Sequence, residues 1–203
     1  RLSNYPDPLA VIEKYGADAL RYYLLSSPVV HAEDLRFSEK DIQEVLSKVI
    51  NRLDNVLSFY LLYANAGNRK AGSLKPKAAH VLDRWVLTRL GEAARETTRG
   101  LENYTLDRAT RPIGEFIEDL STWYLRRSRD RFKRAGAERE QALATMRYVL
   151  LTLARMMAPI MPFFAEWPTA SAESARTGLE KLNARVLPDR DLLAEALFVI
   201  GRW

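Results

Sequence analysis

Apolar side chains recur at helical spacing along most of the chain. From Ile42 they alternate in steps of three, one and three, at positions 42, 45, 46, 49, 50, 53, 56, 57, 60, 61 and 64. This is the period of an amphipathic helix. Ser38 precedes the segment as a cap residue with Asp41 three positions on, and the glycine- and proline-containing stretch 65–76 follows it. The pattern predicts one long helix that ends near residue 64.

Three further helices are predicted downstream, over about 80–103, 106–134 and 138–158. Pro159 and Pro162 end the last of them. Pro112 lies inside the middle one, where its missing N–H and its ring clash predict a kink or a restart at 110–112.

Two short helices are predicted before the long one. Asp7 and Pro8 read as a cap and a first helical position, so PLAVIEKY forms a helix that Gly16 closes. The next helix is ADALRYYLLSS, which Pro28 ends. No segment combines apolar/polar alternation with hairpin turns, so the sequence predicts an all-α fold. Short connections between long helices favour an antiparallel helical bundle.

The composition divides the chain into three parts. Residues 1–37 form a short helical segment, and residues 38–167 form the bundle. From 168 to 203 the chain becomes small and polar and then weakly amphipathic, near 172–184 and 189–202. We expect this last part to be a linker and a partial C-terminal helical element.

The composition and motifs of the chain exclude several kinds of functional site. The 203 residues contain no cysteine, which excludes thiolate metal sites and cysteine nucleophiles, and two histidines, His31 and His80, cannot make a histidine-rich metal site by themselves. The nine glycines do not form a phosphate-binding GxGxxG or GxxxxGK[ST] loop. Arg155 interrupts the most apolar stretch, 148–165, so no membrane span is predicted. We therefore expect neither a catalytic residue nor a metal ligand here.

Positive charge is concentrated in one run, WYLRRSRDRFKR at 123–134. The apolar stripe of its helix passes through Phe116, Leu120 and Tyr124, and the same steps then reach Arg127 and Arg131. Because unpaired arginines are excluded from a core, we expect this helix to run past the end of the bundle toward an acidic partner. A solvated basic helix with local ion pairs is the alternative.

Nucleic acid is the acidic partner that this composition favours, since arginine suits bidentate contacts to phosphate. The flanking aromatic residues Trp123 and Phe132 suit base stacking, although Trp123 can equally be a half-buried anchor of the bundle. The candidate phosphate contacts are Arg126, Arg127, Arg129, Arg131 and Lys133.

A second candidate group lies on the polar side of the long helix. Asn51, Arg52 and Asn55 fall within about one turn of each other. Asparagine and arginine can read the edges of splayed bases, so this group is the candidate for base recognition. An ordinary surface face is the alternative.

Several motifs resemble one family. The opening 42 residues contain NYPDP, KYGADALR, LLSSPV and EDLRFSEK in order. Together they resemble the segment that follows the KMSKS signature in class I aminoacyl-tRNA synthetases, most closely those for isoleucine. DRWVLTRL, the stretch 101–133 and LLTLARMMAPIMPFFAE are similar to helices of the same family's anticodon-binding domain. The resemblance covers about residues 1–167.

The resemblance implies a role in a larger enzyme. Arg1 would stand at the fifth position of the KMSKS loop, at the edge of the nucleotide site. The HIGH motif and the first lysines of KMSKS are missing, so this fragment is expected to be inactive alone, with no cofactor of its own. The parent would use ATP and Mg to join isoleucine to its tRNA in the cytoplasm. Residues 1–37 would be the stem-contact segment that packs beneath the catalytic domain.

The expected partners are the anticodon stem and loop of isoleucine tRNA and the upstream catalytic domain of the same chain, within a monomer and without a membrane. Three alternatives stay open. The chain can be the corresponding domain of a valine-type synthetase, a helical protein-interaction module, or a basic module that binds RNA without specificity.

Overall fold

The computed structural model describes residues 6–64, 76 and 79–165. Every regular element within these ranges is helical, which confirms the predicted all-α fold. The helices are α1 (Pro8–Tyr15), α2 (Ala17–Leu25), a 3-10 turn (Pro28–His31), α3 (39–64), α4 (Val81–Glu102), α5 (106–133), α6 (Ala137–Met157) and α7 (Pro162–Ala165).

Two of the long helices each contain a wider, π-helical turn. In α3 the turn is Leu46–Ile50, and in α5 it is Asp119–Leu125. The residues at their boundaries keep right-handed helical dihedrals, so each helix continues through its π turn. Such turns are frequent near functional sites, and the one in α5 ends directly before Arg126, the first basic residue of the run.

The long helices form an up-down-up-down bundle. α4 runs antiparallel to α5, because Thr97 bonds to Ala109 at one end and Trp85 lies beside Trp123 at the other. α3 runs parallel to α5, as the Arg52–Glu118 ion pair and the Phe59–Phe132 contact both show. α6 turns back after residues 134–136. We call the end formed by the last turns of α3 and α5 and the first turns of α4 and α6 the distal end.

The bundle encloses one main core, and the N-terminal helices add a smaller one. The largest fully buried side chains of the main core include Phe116, Tyr124, Phe132 and Met146. The smaller core consists of Val11, Ala19, Tyr23 and Ile42, which join α1 and α2 to the start of α3. Hydrogen bonds add to this packing: the carboxylate of Asp18 in α2 accepts one of 2.7 Å from the backbone N–H of Phe164.

The predicted restart at Pro112 is wrong, because α5 is helical from Leu106 through Pro112 to Glu118, and the kink that was its alternative stays a prediction. Contacts with other helices hold the segment in place. Thr97 Oγ1 in α4 donates a hydrogen bond of 3.1 Å to the carbonyl of Ala109, and Tyr22 Oη in α2 donates one of 3.1 Å to the carbonyl of Thr110. Tertiary packing therefore outweighs the local cost of the proline.

Two predictions lie outside the described residues: the position of Arg1, and the weak helices near 172–184 and 189–202. In the part of the chain that the structure describes, no helix is both long and apolar enough to cross a bilayer.

Candidate nucleic-acid interface

In the last α-helical turns of α5, one side of the helix is exposed and mostly basic, and the other side is buried. Five positions of the segment Arg126–Lys133 are exposed, and at about 100° per residue they fall on one arc of about 160°. Four of the five are basic, namely Arg126, Arg127, Arg129 and Lys133, and the fifth is Asp130. We call these four residues the basic arc. It lies at the distal end of the bundle, where α5 ends.

The basic arc has no carboxylate partner among the described residues. By contrast, Arg89 in α4 binds Asp119 at 2.9 Å and Glu92 at 2.7 Å. Four cationic side chains without ion pairs within about two helical turns generate a positive potential that favours an anionic ligand.

Arg131 does not belong to this surface. Its guanidinium donates two hydrogen bonds of 2.8 Å to the two carboxylate oxygens of Asp83, and the residue is only 7% exposed. Tyr124 Oη donates a third bond to Asp83, at 2.9 Å. These hydrogen bonds raise the pKa of Arg131 and keep it charged. The structure thus contradicts the predicted phosphate contact by Arg131.

The same ion pair explains why the predicted overhang of α5 is also wrong. The arginine that falls on the core side is buried against a carboxylate instead of projecting into solvent. Phe132 is buried between Phe59 and Tyr63, with ring centroids 5.3 and 6.2 Å away, so it offers no free face to a base. The end of α5 is packed within the bundle on one side and exposed on the other.

Asp83 is the residue that the sequence reasoning missed. It lies in the first turn of α4 and is fully buried. The sequence does contain a signal, because Asp83, Val86 and Leu90 have the spacing of one helix face. Asp83 lies on the apolar stripe of α4 and Arg131 on that of α5. A carboxylate and an arginine on two apolar stripes indicate that the two side chains pair when both stripes are buried.

The sequence leaves two roles open for Trp123, a surface for base stacking and a half-buried anchor of the bundle, and the structure shows features of both. It is 44% exposed, and its ring lies 6.2 Å from that of Trp85 in α4. The guanidinium carbon of Arg127 lies 3.8 Å from the centroid of the Trp123 ring. The indole is therefore attached to the bundle on one side and covered by an arginine on its face.

The structure exposes Asn51 and Asn55 on α3, whereas Arg52 is partly buried. Arg52 is 25% exposed and forms an ion pair of 3.4 Å with Glu118 in α5. This contact places the group beside the segment of α5 that leads to the basic arc. Asn51 and Asn55 are accessible to a ligand, and Arg52 would first have to leave Glu118.

The described residues contain no group of three or more histidine or acidic side chains arranged to hold a metal ion.

Family models match two parts of the sequence. Residues 83–182 match a model described as the anticodon-binding domain of tRNA ligase. Residues 1–36 match one described as tRNA synthetases class I (I, L, M and V). The first match contains α4 from Asp83 onward, all of α5 and all of α6, and thus the whole basic arc.

Two full-length relatives are similar over most of the chain. The isoleucine–tRNA ligase of Protochlamydia amoebophila (strain UWE25) is 42% identical over 168 residues, which is 82% of this chain and 16% of that protein. The isoleucine–tRNA ligase of Chlamydia trachomatis serovar D is 44% identical over the same length. The chain thus spans about a sixth of the length of these relatives.

The fold is similar to that of solved structures. One example is a chain from the crystal structure of the Agrobacterium radiobacter K84 LeuRS–tRNA–LeuAMS ternary complex, with a TM-score of 0.61 and 20% sequence identity. The match covers 82% of this chain and 20% of that one.

Proposed function

The chain belongs to the class I tRNA synthetases and contains their anticodon-binding domain, and from this premise we propose that its bundle binds the anticodon arm of an isoleucine tRNA through the basic arc. The single observation that carries the proposal is the arc itself. Four cationic side chains without carboxylate partners among the described residues lie together inside the matched domain.

The proposed contacts divide by chemistry. Arg126, Arg127, Arg129 and Lys133 neutralise phosphates of the anticodon stem and loop, which contributes affinity but no sequence information. Asn51 and Asn55 read base edges, because their amide groups carry both donors and acceptors. Arg52 joins them when it leaves Glu118.

The rest of the proposal concerns the larger protein. Its activity is the ATP-dependent and Mg-dependent ligation of isoleucine to tRNA, in a cytoplasmic monomer. Residues 1–37 connect to a catalytic domain, and residues 38–167 bind tRNA.

The test is binding of the 203-residue chain to isoleucine tRNA across a salt series, with the same tRNA carrying a replaced anticodon as a second ligand. The triple variant Arg126→Ala, Arg129→Ala and Lys133→Ala removes three charges of the basic arc. If each contacts one phosphate, the slope of log K against log salt falls by about 2 to 3.

A matched triple variant supplies the control. Arg95, Arg99 and Arg108 are exposed and lie toward the opposite end of the bundle, so their replacement by alanine removes the same charge without changing the slope by more than about 1. Equal effects of the two triple variants would overturn the proposed location. Equal affinity for both tRNAs would reduce the domain to a nonspecific RNA-binding module.

A further inference from the structure

Arg127 differs from the other members of the basic arc in what lies beneath it. Its guanidinium carbon is 3.8 Å from the Trp123 ring centroid, which is the separation of groups in van der Waals contact. Arg129 also lies near a ring, that of Phe59, but at 6.0 Å. Only the closer pair has the geometry of a guanidinium packed on an aromatic face.

The position of Trp123 is itself supported. Trp85, on the neighbouring helix α4, lies 6.2 Å away between ring centroids, and the two rings are tilted by 51°. Trp123 also lies within the π-helical turn Asp119–Leu125, which ends just before Arg126. The indole thus has a fixed neighbour in the bundle, and the arginine lies over a fixed indole.

A guanidinium is planar and has two faces, each able to stack on a π system. The Trp123 ring lies within contact distance of the Arg127 guanidinium, and Arg127 is exposed. Arg127 has no carboxylate partner among the described residues that would turn its plane away. Unpaired bases of RNA loops stack on arginine planes as well as on aromatic rings.

We propose that Arg127 is a stacking surface for one unpaired nucleobase, and that Trp123 and Trp85 are the positioning residues that hold its plane. The inference rests on the proposed function and goes beyond it. It assigns Arg127 to a base rather than to a phosphate alone, and it gives Trp85 a part in binding as a positioning residue.

Lysine substitution tests the assignment, because Arg127→Lys keeps the charge and removes the plane. The matched control is Arg126→Lys, the same change at the neighbouring exposed position. We expect Arg127→Lys to weaken tRNA binding by about tenfold, a typical cost for loss of one stacked base, with an unchanged salt slope. Arg126→Lys is expected to stay within about twofold of the unaltered chain, since lysine still neutralises a phosphate.

A fluorescent base gives a readout that a charge contact would not change. 2-Aminopurine placed at each anticodon-loop position in turn is quenched when it stacks. We expect one position to be quenched by the unaltered chain and by Arg126→Lys, but not by Arg127→Lys. Trp123→Leu should release the same position and lower the affinity to a similar extent, again without a change in salt slope.

The outcomes separate this inference from the proposed function. If tRNA binds with an anticodon preference but Arg127→Lys and Arg126→Lys behave alike, the stacking surface is wrong and the RNA interface stands. If the unaltered chain binds no tRNA at low salt, both are wrong. A thermal unfolding curve for each variant identifies any loss that comes from misfolding, and Arg127→Lys, at an exposed position, should unfold like the unaltered chain.

Discussion

The carboxylate of Asp83 and the guanidinium of Arg131 join the first turn of α4 to the last turn of α5 through two hydrogen bonds of 2.8 Å. The two residues are 48 positions apart in the sequence. Burial raises the pKa of Tyr124 well above its ordinary value, and the neighbouring charge of Asp83 raises it further. The phenol therefore stays neutral and donates to Asp83, so the carboxylate accepts three hydrogen bonds from α5.

The first prediction is that Asp83→Asn destabilises the chain by about 3 to 5 kcal/mol, the usual cost of removing one member of a buried ion pair. The substitution leaves the Arg131 guanidinium buried without a counter-charge. Urea unfolding, followed by far-UV circular dichroism, measures the change in the free energy of unfolding.

Two further variants separate charge from packing. Tyr124→Phe removes one hydrogen bond and should cost about 1 kcal/mol. The double variant Asp83→Leu with Arg131→Met removes both charges and should recover much of the loss, since apolar replacements of buried pairs are often neutral. An Asp83→Asn chain as stable as the unaltered one would show that the pair contributes nothing to folding.

The Asp83–Arg131 pair also marks the limit of what the sequence predicts. Periodicity placed α4, α5 and α6 within one residue of their observed ends, because their apolar stripes extend over many turns. It also placed Arg127 and Arg131 on the core side of α5, which is right for the buried Arg131 and wrong for Arg127, which is exposed. It could not pair Arg131 with Asp83, since the pairing depends on how two helices align in space.

The candidate site was predictable to a similar degree. A local excess of arginine indicates a basic surface, and four members of that surface are exposed. Arg127 follows Trp123 by four positions, a spacing at which side chains on one helix are neighbours, but which positions face solvent depends on the neighbours of α5. Pro112 shows the same limit, since its local cost predicts a restart that contacts from Thr97 and Tyr22 prevent.

A second prediction concerns the close crossing of α4 and α5. A Cβ atom added to Gly100 would lie 2.6 Å from the backbone nitrogen of Ala109, so Gly100→Ala must separate the two helices. We expect the free energy of unfolding to fall by about 1 to 3 kcal/mol, as for other overpacked sites.

Gly91 in the same helix is the control. Its nearest atom would be the flexible Arg95 Nη1 at 3.7 Å, so Gly91→Ala should stabilise by about 0.5 to 1 kcal/mol. Urea unfolding of both variants checks the opposite signs.

A third prediction concerns alkaline pH. Burial raises the pKa of Tyr22 to about 12 from its ordinary value of 10.0, against the opposing effect of the Gly114 N–H. Because the folded state holds this proton more tightly than the unfolded state, the contribution of Tyr22 to stability is complete below about pH 10. It is lost as the pH rises toward about 12, by up to about 2.7 kcal/mol.

Tyr22→Phe tests this relation. It should cost about 1 kcal/mol at pH 7, through the lost hydrogen bond to the Thr110 carbonyl. It should also reduce the slope with which the free energy of unfolding declines between pH 10 and 12, by an amount that corresponds to at most one bound proton. Urea unfolding across that range measures both effects. An unchanged pH dependence would place the Tyr22 hydroxyl in contact with water rather than in the core.

The last prediction concerns base recognition by α3. Asn51 and Asn55 are exposed on the side of α3 that the Arg52–Glu118 ion pair joins to α5. If their amides read bases, the double variant Asn51→Ala and Asn55→Ala should lower the affinity for isoleucine tRNA by about 10-fold or more and leave the salt slope unchanged, because no charge is removed. It should also bring the affinities for the native and replaced anticodons closer together. Gln43→Ala, another exposed polar position of α3, is the control and should change neither quantity. A double variant that keeps the full anticodon preference would move recognition elsewhere on the bundle, and Glu118→Gln, which frees Arg52, would then be the next variant to compare.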